Sequence, residues 1–318
     1  MKKGPQYFAG LAAALAFISG WLGLSAAPAT DQSNAPVTAF VGARIIDGTG
    51  KTPIENATLV VRNGRIEAAG TSVKVPSGAQ RIDASGKTIV PGLASAHSHV
   101  LAIDQMDRFA RYGITTFMRL GGDDQVKMRD ELRAEKGPFT HSRLFIAGHI
   151  VVAMTPEDAR KDVDRDAAEK VDIVKFRLDD QLGHGAKMSP DVYAAIFDEA
   201  KKKNLRVAVH VVTLADAKAV LKLGAKMIAH SVRDMDIDDE TIALLKKNNA
   251  AYCPTFTREL SVFAYAEKPV FLSDPFLLKN GDKAEITKVQ DPGFMAMVQK
   301  DPGAHNGTKS TFRLLCGT

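Results

Sequence analysis

From Ile89 to Phe256 the chain repeats one rhythm, a short apolar run followed by an amphipathic stretch. A strand is expected just after Pro91-Gly92, with further strands at 114–118, 144–147, 171–176, 206–210, 226–230 and 251–256. Helices are expected at 125–135, 156–170, 189–203, 214–223 and 238–248. Pro156 suits a first helical turn and Ser189 a helix cap. Short, mostly apolar strands are those of a parallel sheet covered on both faces. Successive βα units of this size argue for an α/β fold of the (β/α)8 TIM-barrel type rather than an open sheet.

A different pattern precedes it. Residues 41–46, 58–61, 65–69 and 81–82 are β-rich, punctuated by Asp47-Gly48, Asn63-Gly64 and Ser85-Gly86. Asn-Gly supplies the positive φ angles of a tight hairpin turn. Residues 37–88 therefore read as a small β-sandwich, with the barrel running over 89–318. The segment 30–36 is a polar linker. Residues 1–29 read as a secretory signal peptide: Lys2 and Lys3, an apolar run over 8–24, then Ala27-Pro28-Ala29 at the cleavage positions. Gly10, Gly20 and Gly23 interrupt that run, so cleavage is favoured over a retained anchor. The mature protein is then expected to be periplasmic or secreted, free of membrane, and without Trp21, the chain's single tryptophan.

The two cysteines, Cys253 and Cys316, make no disulfide framework, so a hydrophobic core must carry stability. The net charge of +5 includes no basic cluster and implies no nucleic-acid partner. A homo-oligomer is one state open to the chain; the sequence does not fix it.

A barrel keeps its chemistry at the C-terminal ends of its strands. The first strand ends at His97 and His99, which strand alternation turns to one face. Strands five and six end at His210 and His230, and strand four carries Lys175 after an apolar run. Four imidazoles at one end of one sheet point to a metal site. An ammonium cannot bind a metal, but a lysine that adds CO2 becomes a carbamate able to bridge two divalent ions. The alternative for Lys175 is a side chain that snorkels to the rim or pairs with Asp179 or Asp180. Arg119 after strand two and His149 after strand three are candidates for contacting a substrate carboxylate or carbonyl, and His184 for a lid. His141 and His305 read as surface residues, and Met106, Met188 and Met227 as packing.

Pro91-Gly92-Leu93-Ala94-Ser95-Ala96-His97-Ser98-His99 resembles the entry motif of the amidohydrolase superfamily, and residues 207–210 and 227–231 resemble its fifth and sixth strands. The likeness is to the imidazolonepropionase-like and Xaa-Pro dipeptidase-like groups, and it runs from Val37 to about Pro302. It implies that His97 and His99 hold one ion, that His210 and His230 hold a second, and that carboxylated Lys175 bridges them. It implies two zinc ions, with manganese, cobalt or iron suited to the same ligands. The implied reaction is hydrolysis of an amide or peptide C–N bond by a metal-activated hydroxide, on a dipeptide or an N-acyl amino acid. A second reading is ring opening of a cyclic amide.

The chain departs from that pattern at one point. The resemblance calls for an aspartate after an eighth strand, to complete the first site and take a proton from the bridging water, and none is found; Asp274, Asp282, Asp291 and Asp301 lie in loop-like settings. Residues 257–318 read as a helical or irregular insertion broken by Pro269, Pro275, Pro292 and Pro302, ending in a strand-like Leu314-Leu315-Cys316-Gly317-Thr318. The C-terminus is therefore expected to be truncated, one residue short of the base or with 306–318 as a frame-shifted tail. A truncated chain that binds metal without turnover is the third functional reading. Open edges on strands one and seven would make it less stable than a full-length relative.

Overall fold

The computed structural model describes residues 36–100, 102–122, 125–136, 139–179, 186–256 and 270–300. The expected leader (1–29), Asp180, His184, Asp301, His305, Cys316 and the strand-like end at 314–318 lie outside the described residues. The chain divides into two compact units, Met1–Pro91 and Gly92–Thr318.

In the first unit, β1 (Val37–Ile45), β2 (Ile54–Arg62), β3 (Arg65–Gly70), β4 (Gln80–Asp83) and β5 (Thr88–Ile89) form one five-stranded sheet in the order β3-β2-β1-β4, with β5 also on β1. The expected hairpin joins β2 to β3: Arg62 pairs with Arg65 across Asn63 and Gly64, whose φ angles are 48° and 70°. The expectation of two facing layers differs from this single sheet. β4 and β5 pair in parallel with β1, so they extend its sheet instead of starting a second one. Ile89 pairs with Ile45, which carries the first unit just past the expected boundary at residue 88. Ala43, Ile45, Ala57, Leu59 and Ala84 form the buried core of this sheet.

The second unit alternates strand and helix. It runs β6 (Leu93–Ser98), α1 (Ile103–Arg111), β7 (Ile114–Arg119), α2 (Gln125–Ala134), β8 (Arg143–Ile146), β9 (Ile150–Val151), α3 (Pro156–Ala168) and β10 (Val174–Arg177). It continues α4 (Pro190–Lys202), β11 (Val207–His210), α5 (Leu214–Lys222), β12 (Met227–Ala229), α6 (Asp239–Asn248) and β13 (Ala251–Cys253). A short 3-10 turn (Val270–Ser273) leads to α7 (Pro275–Asn280), α8 (Lys283–Gln290) and α9 (Pro292–Lys300). The fold is α/β, and all its second-unit strand pairs are parallel.

The strands form two ladders, β6-β7-β8 and β13-β12-β11-β10-β9, so the ring is not closed among the described residues. Between β8 and β9, Gly148 at φ +70° turns the chain. No helix among the described residues is long and apolar enough to cross a membrane.

Local chemistry explains the helix ends. Thr155 and Asp238 cap α3 and α6 by accepting from Asp158 N and Thr241 N. Ser189 holds the cap position of α4, but its hydroxyl bonds to Asp191 Oδ1 at 2.5 Å and not to the helix backbone. In the expected C-terminal insertion, Pro275 and Pro292 open helices, where a missing N–H costs nothing.

Strand alternation sorts side chains onto two faces. Val174 and Phe176 of β10, Val207 and Val209 of β11 and Ile228 of β12 pack into one large core with Val163, Val192, Ile196 and Leu221 of the helices. On the other face Ile173, Ala208, Met227 and Ala229 join Leu120 and Ala147 in a smaller cluster. The intervening Lys175 and His210 belong to that second face, away from the helices.

Candidate functional site

Three parallel strands deliver the four expected histidines. His97 lies on β6 and His99 just beyond it; His210 ends β11 and His230 follows β12. A register shift between Ser95 and Ser98 marks a bulge in β6 just where His97 sits. Bulges re-aim side chains and recur beside functional sites. His230 has φ +74°, outside the main regions open to a side-chain-bearing residue, and its N–H is held by Cys253 O at 2.9 Å.

These rings form one cluster. Centroid separations are 5.2 Å for His97–His99, 4.7 Å for His97–His230 and 4.2 Å for His210–His230. His97 Nε2 and His99 Nε2 lie 3.2 Å apart. Most rings spend one nitrogen on the surrounding protein. His99 Nδ1 lies 3.3 Å from Gly121 O, His230 Nδ1 3.0 Å from Thr255 Oγ1, and His210 Nε2 2.9 Å from Asp179 Oδ2. His97 Nδ1 is buried with no hydrogen-bond partner.

Burial keeps these imidazoles neutral. It draws His97 down to about 3, His210 to about 4 and His230 to about 2, helped by Lys175 and by neighbouring cations or histidines. For His210 the Asp179 carboxylate opposes the fall without reversing it. His99 is also lowered by burial, against its bond to Gly121.

Lys175 lies on the same face, acts electrostatically on all four histidines and is 2 % exposed. Burial, reinforced by Arg177, lowers its ammonium to about 7. Pairing with Asp179 is one alternative that the sequence leaves open for Lys175. In the structure, Asp179 bonds to Arg177 and His210 at 2.9–3.4 Å, and it reaches Lys175 only as a more distant favourable charge.

The two candidate substrate contacts part ways. Arg119 ends β7, is buried and acts electrostatically on His99. His149 instead turns to α3: Nδ1 lies 2.8 Å from Asp166 Oδ1 and Nε2 3.3 Å from Asp162 Oδ1. It lines a separate cavity of about 670 Å³ with Gln125, Arg165 and Glu169, so it is not gathered with the imidazole cluster. Cys253, a free half-buried cysteine, ends β13 beside the site and exchanges charge effects with Lys175. Asp179 and Thr255 are the site residues that the sequence reading did not assign to the histidines.

Whether this set suits a divalent ion is a question of donors and geometry. Among the described residues no three His, Cys, Asp or Glu side chains stand as a formed metal cage. The donors themselves suit one: four neutral imidazoles within ring contact, one of them with an unspent buried nitrogen, and a lysine whose amine is readily freed of its proton.

No family model matches the chain. An imidazolonepropionase from Streptomyces coelicolor is 24% identical over 238 residues, covering 60% of this chain and 61% of the relative. A dihydroorotase from Geobacter metallireducens is 41% identical over 59 residues, 19% of this chain and 14% of the relative. The chain thus spans about three fifths of the first of these curated relatives and a small part of the other. Among solved structures, a Xaa-Pro dipeptidase with methionine bound in its active site matches with TM-score 0.62 and 18% identity over 72% of this chain and 69% of that one. A prolidase complexed with N-methylphosphonate-L-proline matches with TM-score 0.61 and 18% identity, over 88% and 76%.

Proposed function

We infer that this chain, which is related to the amidohydrolase superfamily, is a metal-dependent hydrolase of an amide or peptide C–N bond in a small molecule. The observation that carries the reading is the convergence of His97, His99, His210 and His230 with buried Lys175 at the C-terminal ends of parallel strands. In this reading His97 and His99 would hold one ion and His210 and His230 a second, and Lys175, as a carbamate, would serve both. Zinc is the expected metal, with manganese, cobalt and iron sharing the ligand preference. A (β/α) barrel architecture belongs to this proposal, with the two parallel ladders as its support, and so does export under the direction of residues 1–29.

The chemistry that divalent ions supply in such a setting is polarisation of a carbonyl and activation of water near neutral pH. The chain's own residues prepare for it. The imidazoles are neutral at pH 7, so they need lose no proton to offer a lone pair. The Lys175 amine, freed of its proton near pH 7, attacks CO2; an N–C bond forms and a proton passes to solvent. The result is an anion where an unpaired ammonium would be costly.

Dipeptides and N-acyl amino acids are the leading substrate class, in line with the dipeptidase and prolidase folds. The likeness to imidazolonepropionase favours a second reading, opening of a cyclic amide. Metal analysis of the purified protein, with hydrolysis assays on all three classes, tests the proposal. We expect two ions per chain and turnover of one class, lost in His97→Asn and His230→Asn. Absence of bound metal after growth with zinc, manganese or cobalt would sink it, and two ions without turnover would leave a metal-binding chain without catalysis.

A further inference from the structure

His210 differs from its neighbours in which nitrogen it spends. His99 and His230 direct Nδ1 toward protein oxygens, Gly121 O and Thr255 Oγ1, whereas His210 directs Nε2 toward the carboxylate of Asp179, which can only accept. The backbone makes this meeting: Arg177 is the register partner of His210 across β10 and β11, and Asp179 follows two residues later. Leu178 N donates to His210 O at 2.9 Å, fastening the segment to the end of β11.

Arg177 then fixes the carboxylate. Its Nη2 reaches both Asp179 oxygens, at 3.3 and 3.2 Å, and its Nε one of them at 3.4 Å. A guanidinium only donates, so the Asp179 oxygens are acceptors toward it. The carboxylate is 10 % exposed and the His210 side chain 13 %, which leaves water little room to take over the bond. Among the described residues Asp179 is the carboxylate in hydrogen-bond contact with the four-imidazole cluster.

We propose that Asp179 is a positioning residue for His210: it holds the proton on Nε2, and so leaves the Nδ1 lone pair as the nitrogen His210 offers to a cation. The use of that lone pair rests on the metal reading above; the tautomer itself does not. A histidine that binds metal commonly donates its other ring N–H to a carboxylate or carbonyl, which sets tautomer and ring orientation together. Without the Asp179 acceptor, a neutral imidazole is free to carry its proton on either nitrogen. Arg177 acts one step further out, by keeping the carboxylate aimed at His210.

The tautomer is directly readable in full-length, metal-stripped protein labelled with ¹⁵N-histidine, from long-range ¹H–¹⁵N correlations at pH 7. We expect His210 to carry Nε2–H in the wild type and in Asp179→Asn, whose amide oxygen still accepts. In Asp179→Ala the signal should move to Nδ1–H or to a mixture of tautomers. A wild-type His210 protonated on Nδ1, or an Asp179→Ala spectrum unchanged at His210, overturns the proposal. Cobalt titration followed by visible absorption gives the second measurement. Asp179→Ala should weaken uptake of one ion on the order of 10–100-fold, with Asp179→Asn recovering most of the loss; equal affinities in all three proteins overturn the role. A wild type that takes up no cobalt overturns the metal reading instead, and the tautomer comparison still decides the part played by Asp179.

Discussion

His210 ends β11 and His230 follows the adjacent parallel β12, with their rings 4.2 Å apart, centroid to centroid. Two imidazoles this close, both largely removed from water, cannot both be charged without strong repulsion. The ladder sets the separation: His210 pairs with Ala229, so His230 begins one residue beyond its neighbour's level. The same two facts, closeness and burial, dictate how the site responds to acid.

Stability should fall as pH falls through the histidine range. The folded values of His97, His210 and His230 are about 3, 4 and 2, below the unfolded value of 6.5. Below pH 6.5 the unfolded chain takes up protons that the folded cluster refuses, so stability complete above that point is lost progressively beneath it. Thermal melts of metal-stripped protein between pH 8 and 5 should show a falling Tm. His210→Gln should give a shallower slope, and a slope identical to wild type would count against a neutral cluster.

His149 should behave in the opposite sense. Burial works against its charged form, but the bond to Asp166 wins and raises its value above 6.5. The buried Asp166 carboxyl is itself raised, chiefly by burial. Groups with raised folded values lend stability at low pH and lose it as pH climbs through them. The Tm advantage of wild type over His149→Gln should therefore be largest near pH 6 and shrink toward pH 8.5. An advantage that grows with pH would contradict the pairing.

These opposite histidines show what the sequence could convey. His210 and His230 were legible because each closes an apolar run, and a strand end in a parallel α/β fold is a place for chemistry. His149 also follows a strand, yet Gly148 at φ +70° turns the chain and Asp166 waits on α3, a partner seventeen residues away. The Asp179–His210 bond spans thirty-one residues and depends on a register that alternation alone does not reveal. The helix α1 is not among the expected elements although Ile103, Met106 and Ala110 recur at helical spacing; it lacks the side-chain N-cap that Thr155 and Asp238 give α3 and α6. Most other second-unit strands and helices were readable because caps, prolines and apolar runs agree locally.

Lys175→Met should stabilise the metal-stripped protein. The ammonium is almost wholly buried, and burial lowers it from 10.5 to about 7 because the site tolerates the charge poorly. Each unit of such a shift corresponds to about 1.4 kcal/mol, so the charged form carries a penalty of several kcal/mol. Methionine keeps an unbranched stem of similar length and removes the charge. Its folded value being depressed, the lysine costs more as pH falls, so the gain in Tm should be larger at pH 6 than at pH 9. Calorimetry across that range, in buffer purged of CO2, makes the comparison; a lower Tm for Lys175→Met at pH 6 would mean that the ammonium has a partner strong enough to hold it.

Gly121→Ala should damage both the fold and the site, because one loop position serves both. Gly121 has φ +111°, a conformation that L side chains rarely adopt. A Cβ placed there would lie 2.3 Å from Ile150 Cγ1 and 2.7 Å from its Cδ1, at the start of β9. Its carbonyl is also the partner of His99 Nδ1. Overpacking of this kind costs about 1–3 kcal/mol, and for a domain of this size each kcal/mol lowers Tm by about 2–4 °C. We expect that drop in Gly121→Ala, together with weaker cobalt binding as the carbonyl moves from His99. Adding Ile150→Ala should remove the clash but not the backbone strain, so the double variant should recover only part of the loss relative to Ile150→Ala alone. Full recovery would assign the whole effect to the contact with Ile150, and an unchanged Tm in the single variant would show that the loop yields freely.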